Sequence, residues 1–78
     1  MLTSGQIRAA RALLGWNQQE LAEESGVSLA TIRRIESDRE PDRTTSPNRE
    51  AIQRALEKGG VSFTQKDAKG GEGVRMKR

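Results

Sequence analysis

Residues 17–36 read NQQELAEESGVSLATIRRIE, and this stretch decides the fold of the 78-residue chain. Asn17 and Ser28 are good N-cap residues, because their side-chain oxygens accept hydrogen bonds from amides that a first helical turn leaves without partners. Gly26 suits the left-handed position just after a helix. The stretch therefore predicts two short helices joined by a tight turn, over residues 18–25 and 29–36.

The same cap pattern occurs three times. An apolar residue precedes each cap and another follows four positions after it: Leu2 and Ile7, Trp16 and Leu21, Val27 and Ile32. Such pairs form a hydrophobic staple, and Thr3 with Gln6 and Asn17 with Glu20 add a capping box. A first helix is thus predicted over Ser4–Leu14, ended by Gly15, with Trp16 packed at the edge of the core.

The remaining chain predicts a fourth helix and a hairpin. Ser46 is a potential N-cap followed by proline at the first helical position, and the helix is expected to run to Glu57 or Lys58 and end at Gly59-Gly60. Beyond it, residues 61–65 and 74–77 alternate between apolar and polar side chains, with a glycine-rich loop between them. We predict a short β-hairpin; the alternative is a disordered basic tail.

The composition excludes several kinds of chemistry. The chain has no cysteine and no histidine, which removes disulfides, cysteine-based zinc sites and the commonest neutral metal ligand and general base. No apolar run approaches the roughly 20 residues that span a bilayer, and the first residues lack a signal-peptide pattern. We expect one small cytoplasmic protein without a metal, a cofactor, enzymatic activity or membrane attachment.

The net charge of +3 is unevenly distributed. Basic and acidic residues balance up to residue 58, and the whole excess lies in residues 59–78: Lys66, Lys69, Arg75, Lys77 and Arg78 against Asp67 and Glu72. A high pI of about 10.0 indicates an anionic partner. It does not by itself distinguish a folded nucleic-acid reader from a basic tail that binds RNA or a membrane.

Residues 17–36 resemble a known DNA-binding motif. The spacing Gln-x-x-Leu-Ala-x-x-x-Gly-Val-Ser-x-x-Thr-Ile-x-x-Ile-Glu, from Gln18 to Glu36, is similar to that of the Xre/Cro-type repressors, which include the phage repressors. The resemblance covers about residues 3–58. It implies a mainly α, compact four-helix, lambda-repressor-like helix-turn-helix domain, here over residues 1–60, with residues 61–78 as a basic β-hairpin or flexible tail.

The resemblance also implies roles for individual residues. The positions that face DNA bases are Ser28, Leu29, Ala30 and Arg34. The positions near phosphates are Gln18, Asn17, Thr31 and Arg33, with Arg43, Thr44 and, more weakly, Arg39 in the loop before the fourth helix. Leu29 and Ala30 replace amides that often read adenine in phage repressors; they can contact a thymine methyl but offer no hydrogen bond.

Arg11 and Glu36 match a pair that forms a partly buried ion pair in the phage repressors, so we assign them a structural role. The leading hypothesis is a repressor that inserts residues 29–36 into the major groove of an inverted-repeat operator as a homodimer. The alternative is an antitoxin-like module that binds a partner protein through residues 61–78, since the apolar side chains there need a surface to cover. The two functions can coexist in one molecule.

Overall fold

A computed structural model describes residues 2–37, 46–64, 71 and 73–77. Four helices precede a two-stranded antiparallel hairpin. The elements are α1 (Ser4–Leu14), α2 (Gln18–Ser25), α3 (Leu29–Glu36), α4 (Ser46–Gly59), β1 (Val61–Thr64) and β2 (Gly73–Met76). The fold is therefore mainly helical, as the sequence predicts.

The first three helices begin and end where the caps indicate. The hydroxyl of Thr3 accepts from the N–H of Gln6 at the start of α1, and the side chain of Gln6 accepts from the N–H of Thr3. Gly15 and Gly26 follow α1 and α2 in the left-handed conformation, with φ of 71° and 74°. Such an angle strains a residue that carries a Cβ, which explains why glycine stands at both helix ends.

The fourth helix differs from the prediction at both ends. Ser46 is its first helical residue rather than its N-cap, and Gly59 is its last. A Cβ at position 59 would lie 2.9 Å from Leu14 Cδ1 and 2.9 Å from Trp16 Cη2. Glycine is thus needed there because the end of α4 packs directly on these side chains, rather than because it terminates the helix.

The hairpin is formed, with slightly different bounds from those predicted. Val61 pairs with Met76 and Thr64 with Gly73, so β2 starts one residue earlier than the alternation indicates, and Lys77 follows it. Gln65 lies outside the described residues. The side-chain nitrogen Nε2 of Gln6 donates to the carbonyl oxygens of Thr64 and Gly73, both at 3.0 Å. These bonds attach the loop end of the hairpin to α1.

One core joins the helices to the hairpin. Its buried apolar residues are Leu2, Ile7, Ala10, Leu21, Val27, Ile32, Ile35, Ile52, Ala55, Leu56 and Val61. Leu14, Trp16, Ala22, Ala51, Phe63 and Val74 pack against this cluster. Of the hairpin side chains that motivated a partner protein, Val61, Phe63 and Val74 therefore pack on the chain's own core, whereas Met76 stays exposed. Binding of a partner through residues 61–78 stays a prediction.

Candidate nucleic-acid interface

The turn between α2 and α3 is fixed by local hydrogen bonds. The Gly26 N–H donates to the Ala22 carbonyl oxygen at 2.9 Å, and the Val27 N–H donates to Ser25 Oγ at 3.2 Å. After Gly26, the side chain of Val27 is buried and Ser28 caps α3. These constraints set the angle at which α3 leaves the turn.

The orientation of α3 follows from its buried stripe. Ile32 and Ile35 are buried, whereas Ala30, Arg33 and Arg34 are exposed. Successive helical residues are about 100° apart, so Ala30 and Arg34 lie opposite the buried stripe. Leu29 and Thr31 are half-buried, on the flanks. Of the predicted base-facing positions, Leu29 is thus the one nearest the core.

Polar groups on the outer side of α3 are linked to one another. The Ser28 hydroxyl donates to Thr31 Oγ1 at 2.8 Å and accepts from the Thr31 N–H at 3.2 Å. Arg34 Nη2 donates to the same Thr31 oxygen at 3.4 Å. The structure therefore brings Ser28, Thr31 and Arg34 together on the outer side of α3.

The carboxyl end of α3 is held by α1. Ser4 Oγ donates to the Ile35 carbonyl oxygen and Arg8 Nη1 to the Glu36 carbonyl oxygen, each at 2.5 Å. These carbonyls are among the four that the end of a helix leaves without an intrahelical partner. Neither donor is among the residues predicted from the sequence. The sequence feature that could have identified them is the i, i+4, i+7 spacing of Ser4, Arg8 and Arg11, because it places three polar side chains on one face of α1.

Arg11 and Glu36 form the predicted ion pair. Arg11 Nε and Nη2 donate to the two carboxylate oxygens of Glu36 at 2.8 and 2.7 Å, and the side chains are 20% and 4% exposed. Arg11 Nη1 also donates to the Trp16 carbonyl oxygen at 3.0 Å. The hydrogen bond to Glu36 raises the pKa of Arg11, against the opposing effect of burial. The guanidinium therefore stays charged and joins α1 to both ends of the α2–α3 unit.

The predicted phosphate contacts at the start of α2 lie beside this ion pair. Gln18 is half-buried, and its Nε2 donates to Glu36 Oε1 at 3.3 Å. Asn17 is exposed and uses its side-chain oxygen as a cap. Free helix amides favour an anion at such a terminus, but the exposed Glu20 carboxylate, bonded to the Asn17 N–H, stands next to it.

The predicted loop contacts fall between α3 and α4. Arg39, Arg43 and Thr44 lie outside the described residues. Asn48, which the sequence places near the loop, is half-buried in the first turn of α4. The part of the interface that the structure describes is therefore the outer face of α3 with the amino end of α2.

Comparison with known proteins supports the same interpretation. A family model described as helix-turn-helix matches residues 7–66, from α1 through β1. The proteins that this model describes are DNA-binding regulators and are typically non-enzymatic. No curated protein sequence matches the chain significantly. Among the described residues, no helix is both long and apolar enough to cross a membrane.

Proposed function

Because this chain belongs to the Xre and lambda-repressor-like helix-turn-helix family, we propose that it is a transcriptional repressor that binds an inverted-repeat operator as a homodimer. In this proposal α3 lies in the major groove of each half-site. The observation that carries it is the outward face of α3, where Ala30 and Arg34 are exposed opposite the buried stripe.

Within this proposal, the residues divide into two groups. Ser28, Leu29, Ala30 and Arg34 face the bases, and Arg34 is the one able to form a bidentate contact with guanine. Arg33, Thr31, Asn17 and Gln18 lie nearer the phosphates, where Arg39, Arg43 and Thr44 of the loop would join them. The hydrogen bond from Arg34 to Thr31 marks the border between the two groups, since it links a base-facing residue to one nearer the phosphates.

The repressor role requires that the end of α3 be rigid. Contacts to base edges need side chains held to within a fraction of an ångström, and a frayed helix end would not supply that precision. The hydrogen bonds from Ser4 and Arg8 to the last carbonyls of α3 meet this requirement. They hold the helix end without using any group on its outward face.

A homodimer is proposed because one module makes few phosphate contacts. Specific DNA complexes bury more surface than a single small module supplies, so related repressors use two copies on half-sites about one helical turn, roughly 34 Å, apart. The proposed operator is therefore a pseudo-palindrome, and a regulator of this kind is expected in the cytoplasm.

Selection from random duplexes by the full chain tests the proposal. The selected duplexes should share an inverted repeat, and their affinity should fall as salt increases, because phosphate contacts release counterions. Arg34→Ala should weaken binding to the selected site by about 1–3 kcal/mol and relax preference at one base of each half-site.

Arg54→Ala provides a matched control, since it removes the same charge from an exposed position on α4. Binding should then change less than twofold, and Arg34→Lys, which keeps the charge but not the planar fork, should behave like Arg34→Ala at the affected base. Equal affinities for the Arg34→Ala and Arg54→Ala proteins would show that α3 does not read DNA. Binding that does not depend on salt would exclude the proposed phosphate contacts.

A further inference from the structure

The base-facing positions of α3 carry few free hydrogen-bonding groups. We call these positions the reading face: Ser28, Leu29, Ala30 and Arg34. The Ser28 hydroxyl already donates to Thr31 Oγ1 at 2.8 Å and accepts from the Thr31 N–H at 3.2 Å, which leaves it a single lone pair. Leu29 and Ala30 have neither a donor nor an acceptor in their side chains. Arg34 is therefore the residue of the reading face whose side chain still has donors to offer.

Ala30 lies at the centre of the reading face. The buried side chains of α3 are Ile32, Ile35 and Glu36. At about 100° per residue, the direction opposite to their mean falls between Ala30 and Arg34, closer to Ala30. Ala30 is exposed, whereas Leu29 is half-buried on a flank. Because the side chain of alanine is a single methyl group, the backbone of α3 can approach closely whatever surface is placed against this position.

A methyl group at the centre of the reading face distinguishes bases by the groups that they present to it. In the major groove thymine presents a methyl group at C5, whereas adenine and cytosine present amino groups and guanine presents two acceptors. An amino group pressed against Ala30 would lose its water and gain no acceptor, which costs free energy. A thymine methyl in the same place is removed from water at no such cost.

We propose that Ala30 contacts the C5 methyl of a thymine in each half-site, beside the guanine that Arg34 contacts. This inference rests on the proposed function, since it names the chemical feature of the duplex that the same face selects. Ala30 and Arg34 are about 6 Å apart along the helix axis, and successive base pairs are about 3.4 Å apart. With the length of the arginine side chain included, the thymine lies within about three base pairs of the guanine.

The proposed contact makes affinity depend on a group that takes no part in base pairing. Deoxyuridine lacks the C5 methyl of thymidine and pairs with adenine in the same way, so exchanging the two removes the methyl contact alone. Burial of one methyl group corresponds to about a fourfold change in affinity, or about fifteenfold when both half-sites are changed.

Uracil substitution in a selected operator tests the proposal. The duplex selected by the full chain is synthesised with deoxyuridine at each thymine position in turn, symmetrically in both half-sites, and is titrated with the protein. Substitution at one position should lower the affinity about fifteenfold. That position should lie close to the guanine that responds to Arg34→Ala, and uracil at thymines outside the reach of α3 should have little effect.

Matched variants test the assignment to Ala30. Ala30→Ser places a hydroxyl against the thymine methyl and should remove most of the difference between thymine and uracil at that position. Leu29→Ser introduces the same group at the neighbouring apolar position, and Ala12→Ser introduces it at an exposed position on α1; both should keep the full difference. A change that only weakens the fold lowers both affinities equally, so the ratio is unaffected. Circular dichroism establishes that each variant is folded.

The outcomes separate this inference from the proposed function. A selected site that depends on Arg34 but has no thymine within reach of Ala30, or that binds equally well with uracil at every position, overturns the methyl contact and leaves the repressor proposal standing. A loss on uracil substitution that is the same in the Ala30→Ser protein overturns the assignment to Ala30. Failure to select any duplex overturns the proposed function and this inference together.

Discussion

The ion pair between Arg11 and Glu36 permits the sharpest test of the fold. Arg11→Met and Glu36→Leu each remove one partner and leave a charged group with little water around it, since Glu36 is 4% and Arg11 20% exposed. Removing one partner of a buried pair costs about 3–5 kcal/mol. We expect the lower end for Glu36→Leu, because Arg11 keeps some exposure and its bond to the Trp16 carbonyl.

The double variant should recover most of that loss. With both charges gone, no group is left stranded, and replacement by apolar residues of similar volume is often neutral. We therefore expect the double variant to lose about 1 kcal/mol, which is less than the sum of the two single losses by at least about 5 kcal/mol. For a chain of this size, a loss of about 3 kcal/mol lowers Tm by about 12–24 °C.

Urea denaturation measures these free energies, with circular dichroism and the fluorescence of Trp16, the one tryptophan of the chain, as two independent probes. Each protein is measured at two concentrations, because dimer formation adds to apparent stability. Additive losses in the double variant, or single variants that lose less than about 1 kcal/mol, would refute the idea that this pair joins α1 to the end of α3.

Three further predictions concern residues that the packing makes important. Gly59→Ala should destabilise the protein by about 1–3 kcal/mol and shift the fluorescence of Trp16, because the added Cβ meets that ring at 2.9 Å; Gly71→Ala, in open space, should leave both unchanged. Gln6→Ala should speed hydrogen exchange in β2 while the amides of α2 and α3 keep their protection, since it removes the bonds to both strands; uniform loss of protection would contradict this. Ser4→Ala should cost about 1–3 kcal/mol by leaving a buried carbonyl of α3 without its donor, and unchanged denaturation would show that water replaces the hydroxyl.

The elements that the sequence predicts correctly depend on interactions within a few residues. Asn17 and Ser28 act on amides three residues away, and Gly26 needs only its own backbone angle. Such features require particular residue types at fixed spacings within a short stretch of chain. The bounds of α1, α2 and α3 therefore follow from the amino-acid sequence alone. The predicted start of α4 was wrong by one residue because Ser46 tolerates a helical position as well as a capping one.

The sequence by itself determined the three capped helices, the staple position of Ile32, and the alternation that makes a hairpin. Only the tertiary structure decided which acceptors Ser4, Gln6 and Arg8 would bind, at separations of 31, 58, 67 and 28 residues along the chain. The physical reason is that a polar side chain has many possible partners when the chain is unfolded. Packing of the apolar faces selects among them, and in doing so it fixes the end of α3 on one side of α1.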